Sequence, residues 1–312
     1  MKIILIDRVH HSFTESFTKW GWEVIEAYEW SENDLLNNIE FADGIIIRSR
    51  IKLNQNVLSK GINLKFIGRP GSGLENIDVE FCQLNNIKVF RSPEGNRDAV
   101  GEHIMGMLLM LLNNLKRADL QVRAGIWERE ANRGIELKGK TVGIIGYGYM
   151  GSSFAEKLAG FGVEVIAYDK YKTAFSSSIV KEVSLEKLQS QSDVISLHTP
   201  LNEETIGMIN REFFEKCAKP IILINSARGK SVILKDLLSA INKGIVMGAC
   251  LDVLEIETSS FEKIDLINQQ VMEELLTKEE VLFSPHIAGW SSEAKEKMAQ
   301  VIIKKIERFL IE

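Results

Sequence analysis

Three segments late in the chain carry chemically capable side chains directly behind short β-rich runs. They are Ile224-Asn225-Ser226-Ala227-Arg228-Gly229, Ala249-Cys250-Leu251-Asp252-Val253-Leu254-Glu255-Ile256-Glu257, and Phe283-Ser284-Pro285-His286-Ile287-Ala288-Gly289. In open α/β sheets, ligands sit beyond the carboxyl ends of the strands, so side chains from three such ends can converge on one ligand. An arginine holds a carboxylate through two parallel hydrogen bonds. A histidine exchanges a proton near neutrality. A carboxylate beside it fixes the imidazole. Arg228, His286 and Glu257 have the types needed to remove or return hydrogen at the carbon next to a carboxylate. Glu255 lies close enough in sequence to compete with Glu257.

That chemistry needs a two-electron carrier. The segment Gly146-Tyr147-Gly148-Tyr149-Met150-Gly151 follows a β-rich run at 141–145 and precedes a helical pattern at 152–160. The first glycine allows a tight turn, the second lets backbone approach a pyrophosphate, and the third lets helix and strand pack closely. The helix N-terminus offers its amides to the anion. Asp169 ends the next run, 18 residues after Gly151. A carboxylate there accepts from ribose hydroxyls and repels a 2′-phosphate, which predicts NAD over NADP, although Lys170 and Lys172 stand beside it.

The elements that must position these groups alternate. Strands are expected at 2–6, 23–27, 44–47, 65–67 and 88–90, then at 141–145, 164–168, 193–197, 221–224, 248–251 and 281–283. Helical patterns lie between them. Ser12-x-x-Glu15 reads as a capping box and Ser31-x-x-Asp34 as a weaker relative. Residues 102–115 form a helix apolar nearly all round, as a core, interdomain or subunit-facing helix must be. Residues 291–309 form the last helix. Strand–helix alternation predicts parallel sheets with helices on both faces. The polar stretch 258–280 is long for a connection.

The composition agrees. The 312 residues suggest two domains, and a formal net charge of -5 gives no electrostatic reason for a nucleic-acid or membrane partner. Cys82, Cys217 and Cys250 are scattered and predict buried free thiols, with no disulfide framework and no metal site. Asp7 ends the first apolar run too early for a signal peptide, so a cytoplasmic location is expected.

Taken together, the motifs resemble the D-isomer-specific 2-hydroxyacid dehydrogenases. They include Gly68-Arg-Pro-Gly-Ser-Gly-Leu-Glu-Asn-Ile-Asp78, Pro93-Glu-Gly-Asn96, the glycine segment, His198-Thr199-Pro200, Asn225 to Gly229, Leu251-Asp-Val253 and Pro285 to Gly289. The resemblance implies two Rossmann-like domains, an NAD-binding doubly wound sheet over 98–286 and a discontinuous, flavodoxin-like substrate domain over 1–97 and 287–312. By the same resemblance, Arg228 binds substrate, His286 is the acid/base and Glu257 its partner. Tyr149, Met150, Ala227 and the wall His198-Thr199-Pro200 border the cofactor, and Asp252 lies near the nicotinamide amide. Ser72, Gly73 and Asn96 border the substrate, and a homodimer is usual. The segment departs from the family where Glu257 is followed by Thr258 and not by proline, and where the stretch to His286 is longer than usual.

Arg48-Ser49-Arg50 resembles the phosphoglycerate dehydrogenase branch. In extended chain the two arginines point to one side and suit a phosphate. They predict oxidation of 3-phosphoglycerate to 3-phosphohydroxypyruvate in serine synthesis. A reductase of glyoxylate, hydroxypyruvate or another small 2-keto acid, and an NAD-sensing co-repressor-like binding protein, are the alternatives. Ending at Glu312, the sequence is expected to lack the regulatory domain found in many enzymes of that branch.

Overall fold

The computed structural model describes residues 1–257 and 269–311. The chain divides into two compact units. One holds Met1–Arg97 and the chain from Trp290 onward, and the other holds Asp98–Glu257 and the described residues up to Gly289.

In the first unit, β1 (Lys2–Leu5), β2 (Glu23–Glu26), β3 (Gly44–Ile46), β4 (Phe66–Arg69) and β5 (Lys88–Arg91) form a parallel sheet in the order β2-β1-β3-β4-β5. This is the flavodoxin-like order. Ile3, Leu5, Ile46 and Phe66 on one face meet Ile302, Ile303 and Ile306 of the last helix, Ser292–Ile311. The chain's end therefore returns to the first sheet because its 3.6-residue apolar stripe has a sheet face to cover. Ile4, Ile45 and Ile67 point to the other face, as period-two alternation requires.

In the second unit, β6 (Thr141–Ile145), β7 (Glu164–Tyr168), β8 (Lys181–Glu182), β9 (Val194–Leu197), β10 (Ile221–Asn225), β11 (Val246–Leu251) and β12 (Val281–Phe283) run parallel in the order β12-β11-β10-β9-β6-β7-β8. Order reverses between β6 and β9, the switch point at which this fold opens a crevice. The two faces carry separate apolar clusters, one around Leu223, Leu251 and Phe214, the other around Ile144, Phe154 and Ile224. Burial pushes the thiols of Cys82 and Cys217 up to about 11 and that of Cys250 up to about 12, and all three are free.

Several local expectations need correction. The helix expected from 102 begins at Pro93 and ends at Leu112. Proline suits a first turn, where its missing amide hydrogen has no partner to lose. A second helix, Leu115–Arg123, follows. The capping boxes exchange ranks. Ser12 lies inside its helix behind His11, which makes no side-chain cap. Ser31 accepts from the Asp34 amide at 3.2 Å while Asp34 accepts from the Ser31 amide at 2.8 Å. The helix Gln269–Thr277 occupies part of the stretch 258–280 expected as a connection. The remainder, 258–268, lies outside the described residues.

Candidate active site

β10, β11 and β12 are adjacent and parallel, so their carboxyl ends emerge side by side. Asn225, buried at the end of β10, shapes the turn behind it: its Oδ1 accepts from the Ala227 amide at 3.1 Å and its Nδ2 donates to the Arg228 carbonyl at 3.0 Å. Arg228 is half-buried and its Nη1 donates to the Ala227 carbonyl at 2.6 Å. Gly229 must be glycine, because a Cβ there would stand 1.8 Å from the Leu254 carbonyl oxygen. That contact ties the loop after β10 to the loop after β11.

The loop after β11 is tied in turn to the loop after β12. His286 Nδ1 donates to Glu257 Oε2 at 2.7 Å, and Glu257 Oε1 accepts from the Leu254 amide. With Nδ1 protonated against the carboxylate, a neutral imidazole presents Nε2 as its acceptor. Glu255 is spent elsewhere: its Oε2 accepts from the Leu234 amide at 3.0 Å, at the start of a helix whose N-cap, Ile233, has no capping side chain. The competition between the two glutamates is thereby resolved in favour of Glu257.

Asp252 is 1% exposed, and its carboxylate is bound by the histidine's turn. Oδ1 accepts from Ser284 Oγ at 2.6 Å and from the Ile287 amide at 2.9 Å, and Oδ2 accepts from the Ala288 amide at 2.9 Å. The Asp252 carbonyl accepts from the His286 amide at 2.8 Å. His286 itself sits at φ +55°, a region that side-chain-bearing residues occupy only when their surroundings hold them there.

The glycine turn fits a dinucleotide. Gly146 has φ +92°, and a Cβ on Gly151 would lie 2.1 Å from the Gly146 carbonyl oxygen. Gly148 caps the helix Tyr149–Leu158 without a side-chain bond, and the space where its Cβ would stand is open, as an anion at a helix N-terminus requires. Tyr149 and Met150 begin that helix. Asp169 ties β7 to the turn, its Oδ2 accepting from the Tyr147 amide at 2.8 Å. Both neighbouring lysines are engaged: Lys170 Nζ pairs with Glu204 at 2.6 Å, and Lys172 Nζ lies 5.1 Å from the centre of the Tyr147 ring. The segment His198-Thr199-Pro200 runs beside Gly146, whose Cβ would meet the His198 carbonyl at 2.8 Å. Burial pushes the His198 imidazole down to about 3, and its Nε2 pairs with Ser196 Oγ at 2.9 Å.

In the first unit, Ser72 Oγ donates to Asn96 Oδ1 at 3.0 Å, which joins two of the expected substrate residues, and Gly73 is buried beside Ser72. The arginine pair comes apart. Arg50 Nη1 donates to the Trp30 carbonyl at 2.5 Å, and its Nη2 donates to the carbonyls of Ile6 at 2.5 Å and Ala27 at 3.0 Å. Arg48 lies over the Trp290 ring at 4.4 Å. The chain bends at Ser49 and Arg50, so the one-sided geometry of an extended strand does not apply. Arg69 belongs to the motif Gly68 to Asp78, in which the resemblance singled out only Ser72 and Gly73. It ends β4, the neighbour of β3, and its guanidinium packs on the Cα of Gly71. An arginine closing a strand just before a glycine loop was the available signal.

The family sequence model for the D-isomer specific 2-hydroxyacid dehydrogenase NAD binding domain matches residues 105–288. A hydroxypyruvate reductase from Thermotoga maritima is 35% identical over 88% of this chain and 87% of its own length. A D-3-phosphoglycerate dehydrogenase from Archaeoglobus fulgidus is 34% identical over 98% of this chain, which spans 56% of that protein. The chain likewise spans little more than half of the other phosphoglycerate dehydrogenases it resembles. Among solved structures, D-lactate dehydrogenase from Aquifex aeolicus, complexed with NAD and lactic acid, superimposes with a TM-score of 0.83 at 29% identity, covering 99% of this chain and 95% of that one. D-2-hydroxyisocaproate dehydrogenase gives a TM-score of 0.83 at 30% identity, covering 99% and 97%.

Proposed function

The chain belongs to the D-isomer specific 2-hydroxyacid dehydrogenase family and takes NAD as its cofactor, and we propose that it interconverts 3-phosphoglycerate and 3-phosphohydroxypyruvate through Arg228, His286 and Glu257. The observation that carries the chemistry is the 2.7 Å bond between His286 and Glu257 at the end of β12. Bound NAD supplies the acceptor for the C2 hydrogen and its two electrons. Arg228 holds the substrate carboxylate and so fixes C2 in position. His286 Nε2 takes the hydroxyl proton as C2 is oxidised, and the imidazolium returns it in reduction. Glu257 stabilises that imidazolium and keeps Nε2 turned outward.

The phosphate reading is supported by Arg48 and Arg69, which stand at the carboxyl ends of adjacent strands, together with the loop Gly71–Gly73. They replace the expected Arg48 and Arg50 pair. A second reading, reduction of hydroxypyruvate, is favoured by the Thermotoga relative and by the engagement of Arg50 with backbone carbonyls. Steady-state rates with NADH on 3-phosphohydroxypyruvate, hydroxypyruvate and glyoxylate separate them. A kcat/KM for the phosphorylated acid at or below that for hydroxypyruvate would return the second reading.

A homodimer is part of the same proposal. Leu115, Leu120, Val122, Ile126 and Trp127 are exposed on and just beyond one short helix, and Trp127 is 77% exposed. An apolar patch of this kind is expected to be covered, and a second copy is the partner that family membership supports. Light scattering at micromolar concentration should give twice the chain mass, and Trp127→Glu should halve it.

A further inference from the structure

We infer that His103 is a positioning residue for the proposed acid/base: a relay from His103 through Ser284 to Asp252 holds the turn from which His286 works. His103 lies on the helix Pro93–Leu112 among the buried side chains of Ile104, Met107 and Leu108. A polar ring on so apolar a helix needs a partner, and one is present. His103 Nε2 lies 2.9 Å from Ser284 Oγ, and Ser284 Oγ lies 2.6 Å from Asp252 Oδ1. A hydroxyl has one hydrogen, and the shorter bond to an acceptor-only carboxylate claims it. His103 Nε2 must therefore be the donor to Ser284, with Asp252 Oδ1 also 3.5 Å away.

Asp252 passes this constraint on. Its carbonyl and both carboxylate oxygens take the amides of His286, Ile287 and Ala288, three in a row. Those bonds hold His286 at φ +55°. A carboxylate held only by the turn could rotate with it. One held from behind by serine and histidine cannot. His103 touches no reacting atom, so its effect passes through the orientation of His286.

The inference rests on the proposed role of His286, and wild-type kcat in His286→Ala would overturn that role whatever the His103 variants do. The test measures kcat and KM for the best 2-keto acid, and NADH affinity by fluorescence titration, in His103→Leu, His103→Gln, Ser284→Ala and the double variant His103→Leu/Ser284→Ala. Loss of one such bond should lower kcat about tenfold in His103→Leu and in Ser284→Ala, with NADH affinity within about twofold of wild type. The double variant should lose little more than either single one, because both break the same relay. His103→Gln should recover most of the activity, since its amide N–H can reach the serine. Should His103→Leu fail to fold, the near-isosteric Ser284→Ala and His103→Gln carry the test. Full kcat in Ser284→Ala, equal losses in His103→Gln and His103→Leu, or NADH affinity falling in step with kcat would each overturn the relay.

Discussion

Two pairs of like-charged residues, each two positions apart, meet opposite fates in a common way. In the first unit, Arg48 and Arg50 follow β3; in the second, Glu255 and Glu257 follow β11. In each pair one member is captured by backbone. Arg50 is drawn in by three carbonyls, those of Ile6, Ala27 and Trp30, and Glu255 by the Leu234 amide at a helix start. The other member turns to a ring: Arg48 to Trp290 and Glu257 to His286. Strand and helix ends leave backbone groups without partners, and a nearby charge of the right sign satisfies them. Of two like charges behind a strand end the backbone can claim one, so its needs must be counted before a role is given to either.

The largest effect is expected at the histidine. His286→Ala should lower kcat by roughly 10²–10⁴-fold, the usual worth of general acid–base catalysis, while NADH still binds. Next comes the glutamate pair. Glu257→Gln should lower kcat by more than about tenfold but less than the histidine change, and Glu255→Gln should leave kcat nearly unchanged. Loss of its helix-capping bond should cost Glu255→Gln about 0.5–2 kcal/mol in urea denaturation. Equal kinetic effects of the two would remove the distinction drawn from their hydrogen bonds.

The arginines should divide along the other axis. Arg50→Ala takes the side-chain donor from the Ile6 and Trp30 carbonyls, while that of Ala27 keeps the Trp30 amide, and should cost about 2–4 kcal/mol of stability. Arg48→Ala should leave stability nearly unchanged and raise KM for the phosphorylated substrate by roughly one to two decades, without a matching change for hydroxypyruvate. A KM rise in Arg50→Ala without loss of stability would restore the original pair. The remaining prediction concerns pH and His198. Burial pushes its imidazole down to about 3 in the folded chain, against about 6.5 when unfolded. The unfolded chain therefore binds the extra proton between those values, and stability falls as the pH falls through that window. His198→Asn should flatten the slope of Tm against pH between about pH 6 and pH 4.

Much of this was legible in the amino-acid sequence. Period-two apolar runs alternating with helical stripes determined two parallel sheets, because each pattern can bury its apolar side in only one kind of layer. The glycine spacing determined a dinucleotide turn, since it follows from local sterics: Gly146 needs a positive φ and Gly151 has no room for a Cβ. Arg228, Glu257 and His286 could be proposed from residue type, from their place behind strand ends and from the family resemblance, because parallel strands bring their carboxyl ends together. Tertiary structure alone decided which charges were already in use. Nothing near Arg50 in the chain shows that carbonyls from β1's end and from the segment after β2 will surround it. Nothing near Asp252 shows that the amides of Ile287 and Ala288, 35 and 36 residues later, will claim its carboxylate. Hydrogen bonds to backbone depend on where strand ends meet in space, and sequence spacing carries no record of that meeting.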